Sequence, residues 1–170
     1  MPALKNNKIA NINFKFMKKY ITVLTVFFTL VFSTCKADNP AGTGNKEITT
    51  AGSVAQLTDA EFKKLIFNYE ANKEWKYEGK KPAIIDFYAD WCAPCRQLSP
   101  IVEEIAKEYK GKIDVFKVDT EKERLLAQKM GISGLPTLLF IPANGSPRVT
   151  MGALPKEDLV SAINEILLIK

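Results

Sequence analysis

Residues 83–95 read AIIDFYADWCAPC, and this stretch decides the fold. Its first seven residues, Ala83 to Ala89, are apolar except for Asp86, which is typical of a strand covered on both faces in a parallel sheet. Cys92 and Cys95 follow, and apolar residues then recur at helical spacing at Leu98, Ile101, Val102, Ile105, Ala106 and Tyr109. The sequence therefore predicts a strand that runs into a long helix, with both cysteines at the junction.

The segments around this junction alternate between strand and helix patterns. Strands are predicted at Ser53–Leu57, Ala83–Ala89, Ile113–Val118, Thr137–Ile141 and Arg148–Met151. Further helices are predicted from Thr58 to Tyr69, from Glu121 to Met130 and from Pro155 to the end of the chain. Asn144-Gly145 is typical of a hairpin turn between the last two strands. The order β-α-β-α-β-α-β-β-α predicts an α/β fold, a three-layer sandwich with a central mixed sheet.

The two cysteines are suited to thiol–disulfide exchange. Their spacing allows a small disulfide ring, and the helix N-terminus should lower the pKa of Cys92, which makes it the attacking nucleophile. Cys95 lies one turn further in, so we expect it to be more buried and to act as the resolving thiol. The alternative is a structural disulfide, although so small a ring removes little entropy from the unfolded chain.

Asp86 is an unusual residue for an apolar strand. Burial disfavours its charged form and should raise its pKa, so its presence calls for a reason. Because it precedes Cys92 on the strand that leads into the motif, it can lie beneath the sulfurs and accept the proton of Cys95, directly or through water. The alternatives are an acid on a solvated strand face or in a buried ion pair.

Composition excludes several kinds of chemistry. The chain has no histidine, and its three cysteines are too few for a four-cysteine metal site, so we expect neither a cofactor nor a metal. The net charge of +5 comes from the lysines before Cys35, and the 19 basic residues after it balance 19 acidic ones. We therefore expect no nucleic-acid binding.

Residues 1–35 resemble an export signal. Lys18-Lys19 precedes the uncharged, mostly apolar stretch Tyr20–Thr34, and Cys35 stands where a bacterial lipoprotein signal places its lipidated cysteine. An uncleaved anchor, a cleaved signal and an ordinary thiol at Cys35 are the alternatives, and Met17 is a candidate true start. Residues 36–52 are polar and predict a flexible linker, which leaves 53–170 as the folded domain.

The domain as a whole resembles thioredoxin in six ordered segments, which are LTDAEF, IIDFYADWCAPCR, SPIVEEIAKEY, GKIDVFKVD, GISGLPTLLF and MGALPKEDL. The resemblance implies that Cys92 is the nucleophile, Cys95 the resolving thiol and Asp86 the buried base. It also implies that Lys117 pairs with this acid, although an ordinary surface lysine is the alternative. It further implies that Pro136 is a cis-proline facing the cysteines, with an ordinary turn proline as the alternative. The implied docking surface consists of Trp91, Ala93, Pro94, Leu135, Gly152 and Ala153.

The sequence departs from the family pattern at three places. Ala93 replaces a glycine, Tyr88 replaces a tryptophan, and the connection at 69–81 is longer. Residues between the cysteines tune the redox potential, so the direction of the reaction stays open. We expect a monomeric reductase of protein disulfides in the cell envelope, tethered to a membrane and recharged by a membrane electron donor. A disulfide oxidase or isomerase and a non-catalytic adaptor are the alternatives.

Overall fold

The computed structural model describes residues 50–167, so that the predictions for Cys35, the signal segment and most of the linker lie outside the described part of the chain. The strands are β1 Val54–Gln56, β2 Ala83–Tyr88, β3 Asp114–Asp119, β4 Thr137–Ile141 and β5 Arg148–Met151. The helices are α1 Asp59–Leu65, α2 Ala93–Glu108, α3 Arg124–Lys129 and α4 Lys156–Ile166. This order confirms the predicted α/β fold.

The five strands form one mixed sheet in the order β1-β3-β2-β4-β5. The first three run parallel, whereas β4 is antiparallel to β2, and β5 is antiparallel to β4 in the predicted hairpin. Asp86 in the central strand is paired in register with Lys117 of β3 on one side and with Leu138 of β4 on the other. The buried acid therefore lies in the middle of the sheet.

The sheet is covered on both faces. Ile85 and Phe87 pack with Phe62 of α1, while Ile84 packs in a second cluster with Leu98 of α2. These are alternate residues of one strand, which point to opposite faces. Because Asp86 has the parity of Ile84, it points to the face that α2 covers.

Two helices are shorter than their apolar spacing predicts. Helix α1 begins at a capping box, in which Thr58 and Glu61 exchange side-chain and backbone hydrogen bonds, but it ends at Leu65. Tyr69 lies beyond it and packs against Phe62 in a tilted arrangement with 6.5 Å between ring centroids, and its hydroxyl is bonded to Asp59. Tyr69 therefore has the sequence spacing of a helix residue because the connection after α1 folds back onto the same core.

Helix α3 begins at Arg124 instead of Glu121 because Asp119 organises a turn before it. The Asp119 carboxylate accepts the backbone N–H of Glu121 at 3.0 Å, and its backbone carbonyl accepts that of Glu123 at 2.8 Å. Such side-chain bonds compete with the first turn of a helix.

The long first connection packs onto the sheet core. The ring of Trp75 packs at a tilt against Phe67, with 4.8 Å between ring centroids, and Tyr77 packs against the same apolar cluster. The departure at 69–81 thus extends the core at the end of the sheet where β3 begins. Within residues 50–167, no helix is both long and apolar enough to cross a bilayer.

Candidate active site

Cys92 and Cys95 meet at the N-terminus of α2. They form a disulfide, with their Cα atoms 5.3 Å apart. Cys92 is the N-cap residue of the helix, and the backbone N–H of Cys95 donates to its Sγ at 3.2 Å. The first turn of α2 contains no acidic residue. In the reduced state, the same N–H and the positive end of the helix dipole would stabilise a thiolate at Cys92.

The two cysteines are equally buried, at 2% and 3% exposure for Cys92 and Cys95. The expectation that Cys95 is the more buried of the two is therefore wrong for the disulfide form. The closed ring holds both sulfurs against Ala89, with Tyr88 and Leu135 packed around them. Access to the sulfurs thus requires a substrate to dock closely against the surface above them.

Asp86 is only 4% exposed, and its Oδ1 accepts no hydrogen bond from any residue that the structure describes. Burial raises the pKa of this carboxyl to about 7, and the positive charge of Lys117 opposes the rise. A pKa in this range suits a group that takes up and releases a proton near neutral pH.

Asp86 and Cys95 line the same cavity of about 240 Å³. The other residues that line it are Tyr88, Ala89, Asp90, Arg96, Ser99 and Lys117. A space of this size with polar walls can hold several water molecules. It therefore offers a route for a proton between the resolving sulfur and the buried carboxyl.

Lys117 does not form the ion pair with Asp86 that the resemblance implies. The two residues are paired in register, yet among the described side chains no ion pair within 4.0 Å joins them. The Lys117 Nζ lies instead 5.7 Å from the centroid of the Tyr88 ring, which is within the range of a cation–π contact. Lys117 therefore acts on Asp86 from a distance.

The loop before β4 brings the predicted docking residues to the cysteines. The Leu135–Pro136 peptide bond is cis, and Leu135 packs against the cysteine cluster. The carbonyl of buried Pro136 accepts the backbone N–H of Gly152 at 2.8 Å. Gly152 has a φ of +98° and open space at its Cα, and exposed Ala153 follows it. Two loops distant in sequence thus meet beside the disulfide.

The remaining predicted docking residues lie on the exposed side of the junction. Trp91 is 67% exposed, and Ala93 and Pro94 form the exposed first turn of α2. Together with the loop residues they form an apolar surface next to buried sulfurs, an arrangement suited to binding a protein chain.

Met151 is a further candidate for the docking surface that the sequence analysis did not include, and its side chain is 59% exposed. It pairs with Thr137, which follows Pro136, and its Sδ would lie 2.8 Å from a Cβ added at Gly134. Its position directly before Gly152 was the available signal. The contact between Lys117 and Tyr88 was also missed, although Tyr88 shares a strand face with Asp86.

An α/β fold with a buried acid beneath a redox-active Cys92–Cys95 pair defines a thiol–disulfide oxidoreductase. The thioredoxin family model matches residues 53–165, and the chain belongs to the thioredoxin family. Disulfide-bearing proteins are accordingly its class of substrate.

Named relatives agree with this assignment. The chain is 46% identical over 109 residues to a thioredoxin of Borreliella burgdorferi, covering 64% of this chain and 93% of the relative. It is 38% identical over 115 residues to a thioredoxin of Pyropia yezoensis, covering 68% and 98%. The crystal structure of chloroplastic thioredoxin z is similar with a TM-score of 0.58 and 26% identity, covering 69% of this chain and 96% of that one.

Proposed function

We propose that this protein reduces disulfide bonds of exported proteins in the cell envelope. The observation that carries the proposal is the Cys92–Cys95 pair at the start of α2, with the unpaired carboxyl of Asp86 in the cavity below Cys95. The pair supplies two electrons, and the carboxyl accepts the proton that the second sulfur must lose.

In the first step, the thiolate of Cys92 attacks one sulfur of the substrate disulfide. A bond forms between Cys92 Sγ and that sulfur, and the other substrate sulfur leaves as a thiolate, which takes a proton from water. The N–H of Cys95 points at Cys92 Sγ and favours its ionised form before the attack.

In the second step, Cys95 resolves the mixed disulfide. Its proton moves to the carboxylate of Asp86, directly or through water in the shared cavity, and its sulfur attacks Cys92 Sγ. The bond to the substrate breaks, the second substrate sulfur leaves as a thiolate that takes a proton from water, and the Cys92–Cys95 disulfide is formed. Renewed activity requires two electrons and two protons, which we assign to a dithiol donor in the membrane.

Substrate binding is assigned to the apolar surface around the disulfide. Exposed Trp91 supplies a large contact area on one side, while Leu135 and Gly152 border the cysteines on the other. Proline at 136 lacks an N–H, which leaves the backbone of Leu135 free to pair with an extended substrate segment.

The envelope location is proposed from the N-terminal sequence, which lies outside the described residues. In this proposal, Cys35 carries a lipid and residues 36–52 act as the tether. Labelling of cells with a radioactive fatty acid tests it, since wild type should incorporate label and Cys35→Ser should not. Membrane association without label would identify an uncleaved anchor, and release into the soluble fraction a cleaved signal.

A disulfide oxidase is the second candidate. In the disulfide the Cys95 N–H donates to Cys92 Sγ, and the same donation to a Cys92 thiolate would stabilise the reduced form and raise the reduction potential. Equilibration of the full chain with glutathione discriminates between the candidates. A reduction potential of about −270 mV together with rapid reduction of insulin would support the reductase, whereas a reduction potential of about −120 mV would overturn it.

A further inference from the structure

The side chain of Tyr88 crosses the strand that carries Lys117. Gln56, Lys117 and Asp86 lie side by side on β1, β3 and β2, and Tyr88 follows Asp86 by two residues on the same strand face. The Tyr88 hydroxyl donates to Oε1 of Gln56 at 3.3 Å. Because β3 lies between β2 and β1, the ring must pass over β3 to make this bond.

The ring is held at both ends. Its hydroxyl is bonded to Gln56, and the Tyr88 carbonyl accepts the backbone N–H of Thr120 at 2.9 Å and the Thr120 hydroxyl at 3.0 Å. The backbone of Tyr88 is therefore anchored to Thr120, and the far end of its ring to Gln56.

Lys117 also borders a second cavity with Glu103 and Lys107, but two groups of the cavity beside Cys95 bear on its ammonium. One is the ring of Tyr88, whose centroid lies 5.7 Å from Nζ, and the other is the carboxylate of Asp86 in the paired position on β2. A lysine stem is long and flexible enough to reach either. In the described structure the ammonium lies with the ring, and Oδ1 of Asp86 is left without a hydrogen bond.

We propose that Tyr88 is a positioning residue whose ring holds the Lys117 ammonium away from Asp86, so that the carboxylate stays unpaired and able to take the proton of Cys95. The inference rests on the proposed role of Asp86 as the base. A direct ion pair with Lys117 would favour the charged carboxylate and make it a weaker base. Tyr88 and Lys117 exchange no atoms in the reaction, since the proton passes only from Cys95 Sγ to Asp86.

The other charged residues that line this cavity are Asp90, which is exposed, and Arg96. Arg96 of α2 is exposed, and its Nη1 donates to the backbone carbonyl of Asp90 at 2.9 Å. Beyond Tyr88, the Asp119 carboxylate pairs with Lys122 at 2.8 Å. Of the described cations, Lys117 is the one whose charge acts on Asp86. It is therefore the charge that a change at Tyr88 would redirect.

The test follows the titration of the Asp86 carboxyl carbon by NMR in the reduced full chain, together with the pH profile of mixed-disulfide resolution. Tyr88→Leu removes the ring and should lower the Asp86 midpoint by about one pH unit or more as Lys117 moves to the carboxylate. Tyr88→Phe loses the bond to Gln56 but keeps the ring, so its midpoint should stay much closer to that of wild type than the midpoint of Tyr88→Leu. An unchanged midpoint in Tyr88→Leu would overturn the proposal.

The variant Lys117→Met distinguishes two ways in which the Tyr88 ring could affect Asp86, by holding the ammonium of Lys117 or by excluding water. In a Lys117→Met background, Tyr88→Leu should no longer shift the midpoint, because there is no ammonium to redirect. If the shift persists there, the ring acts only by excluding water and the proposal fails. Lys117→Met alone should raise the midpoint by less than about one pH unit, whereas a rise of two or more would reveal a direct ion pair and overturn it.

The single Lys117→Met variant alters a half-buried surface position, so its outcome does not depend on whether Tyr88→Leu folds. Asp86→Asn separates this inference from the function on which it rests. If Asp86→Asn resolves the mixed disulfide as fast as wild type does, Asp86 is not the base. If Asp86 controls resolution but its midpoint is indifferent to the Tyr88 ring, the inference about Tyr88 alone fails.

Discussion

The backbone N–H of Cys95 donates to Sγ of Cys92 at 3.2 Å, so the second cysteine contributes to the reactivity of the first. The residue that resolves the mixed disulfide also helps to stabilise the nucleophile. Because the bond uses a main-chain group, replacing the Cys95 side chain leaves it in place.

We therefore expect Cys92 to remain reactive in Cys95→Ser. At pH 6.5, its alkylation by iodoacetamide should be about tenfold faster than that of glutathione, since a thiolate and not a thiol is the nucleophile. Cys92→Ser provides the matched control, in which Cys95 should react slowly. Alkylation of Cys92 at the rate of an ordinary thiol would contradict the assigned nucleophile.

Asp86→Asn should slow resolution by about 100-fold at pH 8 and leave the first attack much less affected, because an amide cannot accept the proton of Cys95. Stopped-flow decay of a mixed disulfide measures the step directly. In wild type the rate should rise through about pH 7, where the Asp86 carboxyl ionises, and the variant should lack this rise. Asp90→Asn, which removes an exposed acid beside the same cavity, should change the rate less than twofold; equal kinetics in both variants would exclude Asp86 as the base.

Stability should fall as pH rises from about 4 to about 7. The folded pKa of Asp86 is raised from 3.8 to about 7, so in this range the folded protein binds more protons than the unfolded chain. One pH unit of difference is worth about 1.4 kcal/mol, which gives a loss of about 4 kcal/mol across the range.

Denaturant unfolding of the oxidised protein at pH 5 and pH 8 measures the part of this loss that falls between those values, about 3 kcal/mol. Asp86→Asn should remove most of the difference and be the more stable protein at pH 8. The lowered pKa values of Asp59 and Asp119 act below this range, where protonation removes their stabilising bonds. A wild-type stability that is constant or increases from pH 5 to pH 8 would contradict the burial of an ionisable Asp86.

Trp91→Ala should raise KM for a protein disulfide about tenfold, because it removes the largest exposed contact of the docking surface. Reduction of a small disulfide such as dithiobis-nitrobenzoate should change little, since it does not need that surface. Leu125→Ala is the control, because Leu125 is 53% exposed on α3 and outside the predicted docking set. Similar effects of both changes on KM would argue against a docking role for Trp91.

The sequence predicts the parts of the site that lie close together along the chain. An apolar strand, a helix stripe and two cysteines between them specify the β2–α2 junction, and the lone acid in the strand indicates Asp86. Pro136 and Gly152 are different, because only the folded sheet brings them to the cysteines. Their assignment depended on the resemblance.

The sequence could not predict which side chains contact one another on the sheet face that carries Asp86. Register places Lys117 beside Asp86, but whether the ammonium meets the carboxylate or the Tyr88 ring depends on where the ring lies. Periodicity also misplaced the end of α1, since Tyr69 reaches the core from a connection. The spacing of apolar residues identifies which residues are buried, but it does not show whether a helix or a loop carries them into the core.

Thr50, where the described chain begins, donates its hydroxyl to Asp114 at the start of β3. The cysteines follow the opposite end of the neighbouring parallel strand, about 20 Å away for six residues of extended chain. Thr50 and the cysteines thus lie at opposite ends of the domain. A fusion partner or a surface joined to the chain before Thr50 should therefore leave the cysteines accessible to substrates.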